Sequence, residues 1–546
     1  MARKAAQRMT WTADGTTAPG TAGRPGSRRP ATRGGRAGKL VAAVAASAAL
    51  ALSLSGCVTV TLPGGKPAAT SGSQEGLSTG TPEELKDYYG QKVAWASCEH
   101  GAECASIKVP VDYSNPQGGS IEIAVIKIAA TGKSEGSLFI NPGGPGGSGY
   151  DFVNDSAQWI LSDELRKNYD LVGFDPRGVK RSAPVTCLTD RERDAQRAVY
   201  YDPFTPDGLA KSIDEQRQTN QACEANTGPV LAHADTESAA RDMDILRAAL
   251  RNEKLDYLGY SYGTFLGSTY ATLFPDRVGR MVLDGALDST LTQSQLTIGQ
   301  AKAFERSLHV FVEWCQRNSG CPLSGNADEG VQRIQKLMNQ YATDPPQAND
   351  GRVVTVASFV SGLIVPLYST ASWPNLRQAL AAALVGDPSP MMQLADFGAD
   401  RDSSGSYTSN SAFAFNAINC LDYSVDSAPE AMRNEAAELV RVSPTLGKYM
   451  AYGGIACDGL KTTAVRKVAP ANYSGKAPVV VIGTTGDPAT PYEWAQNLRK
   501  QLGNASLLTW EGEGHTAYGR AGNCITNAVD DYFVKGTTPA DGLRCT

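Results

Sequence analysis

Residues 255–264 (Leu-Asp-Tyr-Leu-Gly-Tyr-Ser-Tyr-Gly-Thr) constrain the fold of this chain more than any other stretch. An apolar, aromatic run of strand character leads directly into Gly259-Tyr260-Ser261-Tyr262-Gly263, and Thr264 to Ala271 can begin a helix. The pattern predicts a tight strand-to-helix turn that lifts a serine hydroxyl to the top of a sheet. Glycine is expected at 259 and 263 because a side chain there would collide where strand and helix pack around the turn. The helix start would aim its N–H groups and positive end at the serine, favouring negative charge beside it. A bare G-x-S-x-G arises by chance in a chain with 56 glycines. The strand before it and the helix after it set this copy apart, and make Ser261 the candidate nucleophile.

Other segments supply a sheet for that turn. Ile121, Ile123, Val125 and Ile128 belong to a strand-like alternation over 119–130, and short apolar runs recur at 137–140, 169–175, 278–284 and 477–482. Residues 237–250 carry helical spacing. Strands alternating with helices imply an α/β fold with a mostly parallel sheet covered on both faces. Between 287 and 476 the pattern becomes helical, at 301–317, 329–341, 356–367, 373–384 and 428–440. The expected organisation is a catalytic α/β domain over 83–286 and 477–546, with 287–476 inserted as a mainly helical cap. Trp314, Trp373, Met391 and Met392 read as packing residues of that cap.

The beginning of the chain points elsewhere. Residues 1–39 hold nine Lys or Arg against Asp14 alone, 40–56 are rich in Ala, Leu and Val, and Leu54-Ser55-Gly56-Cys57 follows. A basic stretch, an apolar stretch and small residues at a cut site describe an export signal over 1–56. Its end resembles the lipobox of bacterial lipoproteins, which implies cleavage before Cys57 and a lipid on that cysteine. An ordinary signal peptide and an uncleaved anchor helix are the alternatives. Arg28-Arg29 offers a weak twin-arginine signal, and Met9 an alternative start. Residues 57–82, rich in Gly, Ser, Thr and Pro, read as a flexible tether. The expected location is the outer face of the cell membrane, with shedding to the medium as a variant.

Removing 1–56 takes nine basic and one acidic residue from totals of 51 and 56, leaving 42 against 55, a net charge of −13. Such an acidic remainder argues against nucleic acid as a partner. Of eleven cysteines, ten remain after Cys57, an even number suited to disulfides in an oxidising compartment. Cys98 with Cys104 and Cys315 with Cys321 are close in sequence. Cys187–Cys223, Cys420–Cys457 and Cys524–Cys545 are the simplest further pairs, although sequence does not fix connectivity. The four histidines occupy no Cys/His ligand spacing, so no metal site is expected.

A serine nucleophile needs a base, a group to orient it and an oxyanion hole. His100 lies beside Cys98, His233 in a loop and His309 in a cap helix. His515 follows the apolar run Leu507-Leu508-Thr509-Trp510 on a glycine-containing loop near the C-terminus. That placement fits the chain order Ser…Asp…His of α/β-hydrolases. The preceding strand ends in Gly486-Asp487-Pro488, a rigid turn that makes Asp487 the expected orienting acid. After the 137–140 strand comes Asn141-Pro142-Gly143-Gly144-Pro145-Gly146-Gly147-Ser148-Gly149, whose glycines let backbone N–H groups approach a substrate oxygen. Gly144, with Gly143 as its neighbour in doubt, and Tyr262 are the expected donors. No Gly-Lys-Ser/Thr or G-x-G-x-x-G pattern supports a phosphate loop there, and the sequence gives no sign of a cofactor.

These motifs, together with Asp175-Pro176-Arg177-Gly178, Phe274-Pro275-Asp276-Arg277-Val278 and Leu283-Asp284-Gly285, resemble the secreted bacterial tripeptidyl aminopeptidases. Those are α/β-hydrolase serine peptidases related to proline iminopeptidases. The resemblance extends from about residue 94 to residue 545. Asn141-Pro142 departs from the His-Gly that iminopeptidases carry, which bears on the choice of oxyanion glycine. The resemblance implies exopeptidase action on peptides with free N-termini, whose amine acidic residues hold; Asp422 is the candidate anchor. An esterase or lipase of the same fold, and a non-catalytic peptide-binding surface lipoprotein, are the rival readings. Oligomeric state is not legible.

Overall fold

The structure is a computed structural model that describes residues 81–462, 464 and 466–546. The export segment, Cys57 and the tether up to residue 80 lie outside the described residues. No described helix is long and apolar enough to cross a membrane.

Among the described residues ten strands form one sheet: β1 (Ala96–Ser97), β2 (Glu103–Pro110), β3 (Ser120–Ile128), β4 (Ser137–Asn141), β5 (Asp170–Phe174), β6 (Leu255–Tyr260), β7 (Val278–Asp284), β8 (Val479–Gly486), β9 (Ala505–Glu513) and β10 (Leu543–Cys545). Their spatial order is β1-β2-β3-β5-β4-β6-β7-β8-β9-β10. β1 to β3 run antiparallel and β3 pairs antiparallel with β5, whereas every pairing from β5 onward is parallel. Alternation along each strand builds two cores. Phe139, Val172, Tyr257, Met281, Leu283, Val479 and Val481 face one layer of helices. Their neighbours Leu138, Ile140, Leu171, Leu258, Val282, Val480 and Ile482 face the other. This is the continuous apolar character expected of strands covered on both sides. The edge strands β1 and β10, two and three residues long, carry no such signal, and the sequence patterns find neither them nor β2.

Between β7 and β8 the described residues hold helices and no strand. Helices at Gln293–Arg317, Ala327–Thr343, Val356–Ile364, Trp373–Leu384 and Pro429–Val442 match the expected ones within a few residues, except that Gln293–Arg317 begins two turns early. Three more, Ser389–Gly398, Ser411–Asp422 and the single turn Gly447–Met450, are additional. This insertion has a core of its own, in which Phe311, Trp373, Met391 and Met392 are buried and Trp314 packs at the margin.

Five disulfides join Cys98–Cys104, Cys187–Cys223, Cys315–Cys321, Cys420–Cys457 and Cys524–Cys545, the simplest sequential pairing. Arg177 of the Asp-Pro-Arg-Gly motif is fully buried. It makes a two-point bridge to Asp242 at 2.7 and 2.6 Å and donates to the carbonyls of Pro110, Val111 and His233. A buried charge is tolerable only with such complete pairing.

Candidate active site

The serine turn is built mainly by its own neighbours. β6 ends at Tyr260, the next helix runs Tyr262–Leu273, and Ser261 between them has φ 57° and ψ −125°. A non-glycine residue in this region costs on the order of 1–3 kcal/mol and persists only where the surroundings over-determine it. Here the Ser261 N–H donates to the carbonyl of Asp284 at 2.8 Å. Its own carbonyl accepts from the N–H and hydroxyl of Thr264 at 2.8 and 2.6 Å. A Cβ on Gly259 would strike the Gly263 carbonyl and stand 2.6 Å from Tyr257 Cε1; one on Gly263 would lie 2.9 Å from Asn141. Both glycines are therefore fixed by strand–helix packing, as expected.

The Asn141–Gly149 loop crosses directly over this turn. A Cβ on Gly143 would stand 2.9 Å from Ser261 Cβ and 3.1 Å from the Tyr262 nitrogen. Gly143 and Gly144 have φ of 90° and 118°, conformations open to glycine. The side chain of Asn141 decides between them. Its Oδ1 accepts the Gly143 N–H at 2.9 Å, so that donor is used. The Gly144 N–H makes no hydrogen bond among the described residues, and Tyr262 opens its helix with an N–H that has no intrahelical partner. Asn141, which stands where iminopeptidases carry histidine, thus holds the first glycine and leaves the second free.

Asp487 and His515 come together at the ends of β8 and β9. His515 Nδ1 lies 2.9 Å from both carboxylate oxygens. Asp487 also accepts from the N–H groups of Ala489 and Thr490 at 2.9 Å, from the Thr490 hydroxyl at 3.0 Å and from the Thr516 N–H at 3.2 Å. Burial pushes this carboxyl up, but His515 and the converging donors outweigh burial and hold it below the usual Asp range. An ionised acceptor on Nδ1 selects the tautomer with its proton there and a lone pair on Nε2. His515 Nε2 is buried and has no partner among the described residues. It can therefore accept a proton from a neighbouring hydroxyl.

Three features of this half escape the sequence. Thr490 touches both Asp487 and the His515 ring, at 3.3 Å from Nδ1; its signal was the turn in which an Asp accepts the N–H groups two and three residues on. Tyr368, from the insertion, accepts the His515 N–H on its carbonyl at 2.9 Å and sets its ring edge-on to the imidazole at 5.4 Å. Asp284 is the third. Its carbonyl holds Ser261, while its fully buried carboxylate accepts from Ala517 at 3.0 Å and Tyr518 at 2.7 Å. Burial pushes its carboxyl up to about 6, with the two N–H donors and His515 working against that rise.

The remaining histidines are elsewhere. His100 occupies a turn beside the Cys98–Cys104 bridge, His233 sits 4.0 Å from Asp112, and His309 lies between Glu305 and Asp328. Asp422 requires a correction. It is 1% exposed, its oxygens accept the Thr236 N–H at 2.9 Å and hydroxyl at 2.5 Å, and that hydroxyl also meets Tyr262 Oη. Burial pushes its carboxyl up to about 7. Enclosed beneath the serine turn, with each oxygen already accepting one hydrogen bond from Thr236, it is closed to a substrate amine from solvent.

Parallel strands ending in a strained serine turn and a buried Asp–His pair are the architecture of the α/β-hydrolases, and this chain is a serine hydrolase of that fold. A family model described as TAP-like protein matches residues 443–545. Serine protease Hip1 of Mycobacterium tuberculosis (strain ATCC 25618 / H37Rv) is 36% identical over 526 residues, covering 92% of this chain and 96% of that protein. Carboxylesterase B of the same organism is 37% identical over 482 residues, covering 87% and 92%. Tripeptidyl aminopeptidase of Streptomyces lividans is 32% identical over 458 residues, covering 81% and 83%. The chain belongs to the tripeptidyl aminopeptidase family of serine peptidases.

Proposed function

We propose that this protein is an exported exopeptidase that releases short peptides, tripeptides by the name of its Streptomyces relative, from free N-termini. The observation that carries the reading is the buried Asp487–His515 pair with Nε2 unpartnered, at the same end of the sheet as Ser261. Ser261 Oγ attacks the scissile carbonyl carbon while His515 Nε2 takes its proton, and Asp487 holds the imidazolium that results. Charge on the carbonyl oxygen meets the N–H groups of Gly144 and Tyr262. The C–N bond then breaks, His515 returns the proton to the leaving amine, and a water repeats the sequence on the acyl-enzyme. Export and a lipid on Cys57 are supported by the residues before position 58 and by five disulfides suited to an oxidising compartment.

A second reading, an esterase using the same groups, is favoured by the relative named carboxylesterase B. The test is a tripeptide chromogenic amide with a free N-terminus beside its N-acetylated twin, each with wild type and Ser261→Ala. Cleavage of the free form alone, lost in the variant, is expected. Equal cleavage of both, or of short acyl esters only, overturns the exopeptidase in favour of the esterase; fluorophosphonate labelling without turnover would leave only a reactive serine.

A further inference from the structure

We propose that Asp422 is a positioning residue for the oxyanion hole: through Thr236 it holds the Tyr262 side chain, while the helix that carries it bears at its other end on the loop of Gly144. One helix of the insertion, Ser411–Asp422, thereby sets both oxyanion donors. The inference rests on the assignment of Gly144 and Tyr262 as those donors, and not on the choice between peptide and ester.

Asp422 ends a chain of three buried side chains. Thr236 opens the helix Thr236–Ala249, so its N–H has no intrahelical partner, and Asp422 accepts it at 2.9 Å. The positive end of that helix favours the ionised carboxylate. The Thr236 hydroxyl donates to the other Asp422 oxygen and accepts in turn from Tyr262 Oη. Every proton in the chain then has an acceptor. The Tyr262 ring also meets Phe265 edge-on at 6.2 Å, and Arg466 lies over Phe265 at 4.4 Å. A tyrosine held at its hydroxyl and along its ring leaves little freedom to the backbone that bears it, and that backbone carries the donor N–H. A carboxylate that only capped the Thr236 helix would need no tyrosine on the far side of the threonine.

At its first turn the same helix meets the glycine loop. A Cβ on Gly146 would lie 2.7 Å from the Ser411 carbonyl and 3.2 Å from Ala414 Cβ and the Phe415 nitrogen. Gly147 donates to the Gly143 carbonyl at 3.1 Å, which closes the turn containing Gly144. A shift of the helix at Gly146 therefore reaches the free N–H two residues back. The helix is itself anchored near both ends. Asn410, just before it, donates to the carbonyls of Gly178 and Val185 at 2.8 and 3.0 Å and accepts from the Lys180 N–H at 2.9 Å. Cys420, close to its last residue, is bridged to Cys457.

The test replaces oxygen by sulfur at the reacting carbonyl. Sulfur is the weaker hydrogen-bond acceptor, so donors placed for an oxyanion favour an ester over its thionoester. A tripeptide ethyl ester and phenyl butyrate, each beside its thionoester, keep the ratio readable for a peptidase and an esterase alike. Rates are taken at pH 8, above the value of about 7 to which burial pushes Asp422, and per active site titrated to completion with fluorophosphonate. Wild type should favour oxygen by about a hundredfold or more. Tyr262→Phe leaves the Thr236–Asp422 pair intact and removes its hold on residue 262. Asp422→Asn turns a donor toward Thr236, which then gives its proton to Tyr262 Oη and leaves the tyrosine proton unpaired. Each variant is expected to lower kcat on the ester about tenfold, with KM and the thionoester rate nearly unchanged. The double variant should lose no more than either alone. An unchanged oxygen preference in Tyr262→Phe, the variant that disturbs packing least, overturns the proposal. So do equal losses on ester and thionoester, or losses that add in the double variant. A wild type without oxygen preference removes the oxyanion assignment, and the proposal with it. Cleavage of the butyrate pair alone sinks the peptidase reading and leaves the ratio on that pair to judge Asp422.

Discussion

Ser261 follows β6 and His515 follows β9, both tied to Asp284 at the end of β7, yet they are held in opposite ways. Ser261 is shaped by residues within a few positions of itself: Tyr257, Gly259, Gly263 and Thr264, with one long-range bond to Asp284. His515 is held by Asp487 after the previous strand, by Thr490, by the carbonyl of Tyr368 from the helical insertion and by a loop docked on Asp284. The insertion grips this second half further: Arg306 makes a two-point bridge to Glu513, and Gln300 donates to the Ala489 carbonyl at 2.9 Å. The Ser261 turn is thus a local device, and the His515 site is an assembled one. A local device fails when a single contact becomes impossible, while an assembled one loosens by degrees.

The largest effect should come from attacking the local half. Gly259→Ala drives a methyl group into the Gly263 carbonyl and the Tyr257 ring, both rigid and buried. A stability loss of at least about 3 kcal/mol and no fluorophosphonate labelling are expected; a variant that labels at the wild-type rate would show that the turn can yield. Asp487→Asn strikes the assembled half. It keeps shape but favours the wrong imidazole tautomer, so kcat should fall by about 10³–10⁴-fold with KM nearly unchanged. A loss below tenfold would mean that Thr490 and Tyr368 orient the ring without the acid.

The next effect is one of pH. Asp284 and Asp422 are buried with carboxyls pushed up to about 6 and about 7, above the ~3.9 of an unfolded Asp. In the window from about pH 4 to 7 the folded state then binds more protons than the unfolded one, so stability rises as pH falls through it. Asp487 has the opposite sign, being depressed, and its contribution is lost only at lower pH. The unfolding midpoint of the wild type should climb by a few degrees between pH 8 and pH 5, a rise that Asp422→Asn should flatten. A wild-type midpoint that falls over the same range contradicts the assignment of these raised carboxyls.

The smallest effect belongs to the insertion's surface grip. Arg306 is about half exposed, so its bridge to Glu513 should contribute at most about 1 kcal/mol. Arg306→Ala is therefore expected to leave the unfolding midpoint within a degree or two while lowering kcat about two- to fivefold through the His515 loop. An unchanged kcat would uncouple the insertion from the base.

Legibility follows the same division. The strands that face two cores repeat apolar residues at every position and are recognisable; β1 and β10 lie at the edges and are two and three residues long, and β2 beside β1 buries only part of its length, so the pattern thins. Asp487 and His515 were found because strand, turn and chain order are local signals. Tyr368 was not, because nothing in a cap segment marks which of its carbonyls will meet a loop far away in the chain. Asp422 passes for a cleft acid in the sequence because a sequence records the charge of a side chain and not its solvent.

By itself the sequence determined the serine turn, the alternation that makes a two-faced sheet, the helical insertion and the cysteines available for bridging. These depend on backbone sterics and on periodicity within a few residues. Folding alone settles that Gly144 and not Gly143 keeps a free N–H, that Asp284 ties Ser261 to the His515 loop, and that Asp422 is sealed beneath the serine turn. Each of those outcomes depends on which distant groups arrive to satisfy or desolvate a polar atom, and such arrivals exist only once the chain has folded.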